Sequence, residues 1–117
     1  MMTAKEVLDF YDISFYVSTQ FGKTPYFLGG DEMEELFLHF NTVDDINEEI
    51  LPLIEHCQNG DPFPVDNDLT VSLRERIEVT LVGVKFINMN TGNIDMIVPL
   101  QHFKTIVLAW QNFLNNH

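Results

Sequence analysis

Residues 84–114 read VKFINMNTGNIDMIVPLQHFKTIVLAWQNFL, and this stretch decides the fold class. Val84 to Met89 and Ile94 to Val98 are short runs rich in β-branched and aromatic residues. Between them Asn90-Thr91-Gly92-Asn93 supplies residues that accept a positive φ, so the segment predicts a β-hairpin. Pro99 suits the first turn of a helix, where its missing N–H costs nothing. Leu100, Phe103, Ile106, Val107, Trp110, Phe113 and Leu114 then recur at spacings of three and four. That wide apolar stripe needs a surface to cover, and the hairpin's sheet is the nearest one.

Working back toward the N-terminus, Leu69, Val71 and Leu73 alternate with Thr70, Ser72 and Arg74, and Ile77, Val79 and Leu81 continue the alternation to Gly83, where a bulge or bend is expected. Thr3-Ala4-Lys5-Glu6 has the form of a capping box for a short helix over about 4–11. Ile13, Phe15 and Val17 alternate as a strand, Gly22 to Pro25 reads as a turn, and Tyr26-Phe27-Leu28 as a second short strand before Gly29-Gly30. Met33, Leu36, Phe37 and Phe40 fall at helical spacing. A further helix begins at Asn41 or Thr42 with Val43, Ile46, Ile50, Leu53 or Ile54, and Cys57 on one stripe. Pro52 should kink it or split it into two abutting helices, and Gly60 suits the residue past its end. Helices segregated from hairpin-linked strands make an α+β fold: one domain over residues 1–117, with a mostly antiparallel sheet of about four to five strands and a C-terminal helix covering it.

Charge is distributed very unevenly. Between Lys23 and Arg74 there are fifty residues with no Lys or Arg and twelve carboxylates. The rest of the chain holds six acids and six bases, so the net charge of −12 belongs to this one segment. Ten Phe, three Tyr and one Trp set the chain apart from disordered acidic tails, which are poor in aromatics. The acidic segment should therefore fold, with its charge on one side. Such a field attracts cationic partners and repels nucleic acid and anionic membranes. Arg74, Arg76 and Lys85 are too few to track a phosphate backbone. Cys57 is the single cysteine, which fits a reducing compartment. No apolar run is long enough to span a bilayer and no secretory signal is evident, so a cytoplasmic protein is expected.

No motif supplies a complete chemical site. Asp61, Asp66, Asn67 and Asp68 lack the alternation, central Gly and terminal Glu of a calcium loop. Glu35 and His39 are one helical turn apart, but a helical zinc site needs a second His. His39 and His56 fit helix C-termini better. Cys57 lies on the apolar stripe and reads as a buried thiol. Gly29-Gly30 precedes a helix, but Asp31, Glu32, Glu34 and Glu35 in its first turn would repel a phosphate. Phe15, Tyr16, Tyr26, Phe27 and Trp110 read as core rather than as a ligand pocket. No catalytic residue, metal ligand or cofactor is assigned, and the chain is expected not to be an enzyme.

The acidic double helix from Asp31 to Glu55, the hairpin around Asn90-Thr91-Gly92-Asn93 and the closing run from Ile97-Val98-Pro99-Leu100 to Trp110-Gln111-Asn112-Phe113-Leu114 resemble small acidic bacterial immunity and nuclease-inhibitor proteins. The resemblance implies a protein that occupies the basic groove of a toxin. The expected partner-binding residues are Asp31, Glu32, Glu34, Glu35, Asp44, Asp45, Glu48 and Glu49, facing a basic protein partner. Two alternatives stand beside this: a small metal-dependent or acid/base enzyme built on Asp, Glu and His, and a structural or assembly subunit, for instance a dimer formed through an exposed strand edge. The sequence leaves the oligomeric state open.

Overall fold

A computed structural model describes residues 3–20, 22–27, 31–59, 68–70 and 75–116; of Ser18, Phe27, Asp31, Glu32, Asp68, Leu69, Thr70 and Asn116 it describes the backbone. The chain opens with the capped helix α1 (Ala4–Phe10), where the Thr3 hydroxyl accepts from the Glu6 amide and the Glu6 carboxylate accepts from the Thr3 amide. Strands β1 (Ile13–Ser18) and β2 (Gly22–Phe27) pair antiparallel as a hairpin. Gly22 to Pro25 thus belongs to a strand rather than to a turn. Pro25 is tolerated because this two-stranded sheet is all edge, and a proline there can direct its missing donor away from the ladder. Gly22, at φ 77°, takes the left-handed conformation where β2 begins. Val17 outruns the core and is exposed, although it shares the alternation of Ile13 and Phe15. Gly29-Gly30 lies outside the described residues.

Helix α2 (Asp31–His39) buries Met33, Leu36 and Phe37, and Phe40 is buried just past its end, as the spacing predicts. Thr42 caps the next helical run by accepting from the Asp45 amide at 3.1 Å. That run passes from α3 (Val43–Asp45) through a π turn (Ile46–Ile50) into α4 (Leu51–Gln58). The π turn is how the chain accommodates Pro52. A proline in a regular helix removes one hydrogen bond and drives its ring into the carbonyl four residues back. Here the Leu51 amide reaches back five residues to the Ile46 carbonyl, which widens the helix just before the ring.

The second sheet is antiparallel, in the order β3 (Asp68–Thr70), β4 (Glu75–Val79), β5 (Val84–Asn88), β6 (Ile94–Val98). The strands are thus divided between a hairpin and a four-stranded sheet. Residues 71–74, read as a continuation of the first of these strands, lie outside the described residues, as do Gly60 and the loop after it. The alternation of β4 stops at Val79. Thr80 closes a tight turn, its hydroxyl donating to the Gly83 carbonyl at 2.7 Å and accepting from the Gly83 amide at 3.1 Å. Leu81 and Val82 are left at the tip, 69% and 81% exposed, although Leu81 reads from sequence as a further inward strand residue. In the β5–β6 turn the Asn88 side chain accepts from the amides of Asn90 and Thr91, and Gly92 has a φ of 78°.

Helix α5 (Leu100–Asn116) follows Pro99, whose carbonyl accepts from the Phe103 amide. Leu100, Phe103, Ile106, Val107 and Trp110 are buried in one core with Ile77, Val79, Val84, Phe86 and Val98 of the sheet, while Phe113 and Leu114 pack at its margin. Trp110 is fully buried and donates from Nε1 to the Phe40 carbonyl at 3.0 Å. Its ring lies against Phe15, Phe37 and Phe113 at centroid distances of 5.1, 6.2 and 5.8 Å. Trp110→Phe should therefore lower stability by about 2–4 kcal/mol in urea unfolding. It removes buried volume and leaves the Phe40 carbonyl without its donor. Gly83→Ala should also destabilise, by roughly 1–3 kcal/mol, because a Cβ there would lie 2.7 Å from the Val98 carbonyl oxygen and push the two strands apart.

Candidate functional site

The helical run over 43–58 has two chemically opposite sides. Ile46, Ile50 and Ile54 are each fully buried and Cys57 nearly so. A spacing of four over-rotates a regular α-helix by about 40° per step. The wider π turn between Ile46 and Ile50 offsets part of that drift, so the three isoleucines stay on one line. Burial of each is worth about 1.5–3 kcal/mol, and this holds the helix in place. Asp44, Glu48, Glu49 and Glu55 face solvent, and Asp45 is half-buried near the Thr42 cap.

Glu34 and Glu35 on α2 are half-buried, with Leu38 and His39 exposed farther along the same helix. The backbones of Asp31 and Glu32 lie in the first turn of α2, and their side chains are outside the described atoms. The eight expected partner-binding residues thus fall on two consecutive helical segments. Among those with described side chains, the most open are Asp44, Glu48 and Glu49. Asp44 and Asp45 sit in the first turn of their helix, where the dipole favours acids.

The 43–58 run is tied to α5 from both ends. Lys104 donates from Nζ to the Gln58 side-chain oxygen at 2.9 Å, and Gln111 donates to the Asn47 side chain. The two helices therefore run antiparallel, and their polar links lie beside the acids. Lys23 reaches the Leu114 carbonyl near the C-terminal end of α5, where a cation is favoured. An open cleft of about 630 Å³ lies here, lined by Val17, Gly22, Lys23, Asn41, Thr42, Val43 and Leu114. It adjoins the start of the acidic helix but holds none of its carboxylates.

A second open cleft, of about 410 Å³, is lined by Leu8, Asp9, Asp12, Ile13, Ser14 and Tyr26. Asp12 has a φ of 54°, which a short polar side chain tolerates where helix turns into strand. Nearby, the Tyr11 hydroxyl and His102 Nδ1 are 2.8 Å apart, and burial pushes the Tyr11 phenol above its usual range. This Tyr–His pair was not legible in sequence, since the two residues are separated by 91 positions. Glu75 is a buried carboxylate on the same strand face as Ile77 and Val79, a place the alternation alone would have given to an apolar residue.

Among the described residues, no three of His, Cys, Asp and Glu gather into a group that could hold a metal ion. Of the calcium-loop candidates, 61, 66 and 67 lie outside the described residues. His39 and His56 are both exposed in the last turns of their helices. No described helix is long and apolar enough to cross a membrane. No family model matches the chain, and neither a curated protein nor a solved structure matches it.

Cys57 is buried, and desolvation raises its thiol above the usual cysteine value. It should resist a thiol reagent at neutral pH in the folded protein and react fully after denaturation. Mass spectrometry of both samples checks this, and rapid native labelling would show that the thiol is accessible and ionised.

Proposed function

We propose that this chain is a non-enzymatic acidic binding protein of the immunity or inhibitor kind, which caps a basic surface on a partner protein such as a toxin or nuclease. The observation that carries this reading is the two-sided helix over 43–58. Its inner face is a fully buried isoleucine line, and its outer face presents Asp44, Glu48 and Glu49 to solvent. A charge set on a helix anchored in this way is held in place before any partner arrives, so little ordering is required on binding. The field of the whole chain, −12 with its charge concentrated in one segment, steers a cationic surface toward that side and raises the encounter rate.

The test is charge reversal at Asp44, Asp45, Glu48 and Glu49, each to Lys, with circular dichroism confirming that the fold is retained. A basic protein captured from lysate at low salt should bind the wild type and be released as salt rises. Its affinity for the reversed variant should fall at least about tenfold, ~1.4 kcal/mol. An affinity unchanged by all four reversals removes the acidic helix from the interface and overturns the reading.

A further inference from the structure

We draw no further inference here: the strongest candidate, the open cleft where α1 turns into β1 beside Tyr26 of β2, rests on the two exposed carboxylates of Asp9 and Asp12, and nothing among the described residues shows what ligand would occupy it.

Discussion

The hydrogen bond from Trp110 Nε1 to the Phe40 carbonyl joins residues 70 positions apart in the chain. Phe40 lies where α2 ends and the chain turns toward α3, so its carbonyl has no amide of a continuing helix to accept from. A buried carbonyl left in that state costs roughly 1–3 kcal/mol. The indole N–H satisfies it, and the ring spreads over Phe15 from the hairpin, Phe37 from α2 and Phe113 from its own helix. One side chain thus ties α5 to the end of α2 and to the hairpin.

The second constraint is Pro52. In a regular helix it would introduce a kink, and a kink would swing Ile54 and Cys57 off the line begun by Ile46. The π turn removes that conflict by placing the irregularity before the ring rather than at it, and all four side chains reach the core. This makes the outer face continuous as well. With one uninterrupted run from Val43 to Gln58, the acids at 44, 48 and 49 share a rigid backing that two hinged helices would lack. Asp44 and Glu48 are like charges at a spacing that costs a few tenths of a kcal/mol. The buried isoleucines outweigh that cost several-fold.

Periodicity made most of the fold legible. The apolar stripe of α5, the Asn88-to-Asn93 turn region and the Thr3–Glu6 capping box are local signals, and each corresponds to a described element. The readings that differ all depend on something non-local or on side-chain geometry. The turn at Thr80–Gly83 is closed by a threonine hydroxyl that bonds both polar groups of Gly83, and nothing in the alternation of Ile77, Val79 and Leu81 announces it. Pro25 enters a strand because its sheet has only two strands, a property of topology rather than of residues 22–25. The division of antiparallel strands into two sheets is of the same kind. For the candidate site, sequence period separated acid from apolar positions on the 43–58 run. It could not distinguish the open Glu48 and Glu49 from the half-buried Glu34 and Glu35, because that difference comes from what packs beside each helix.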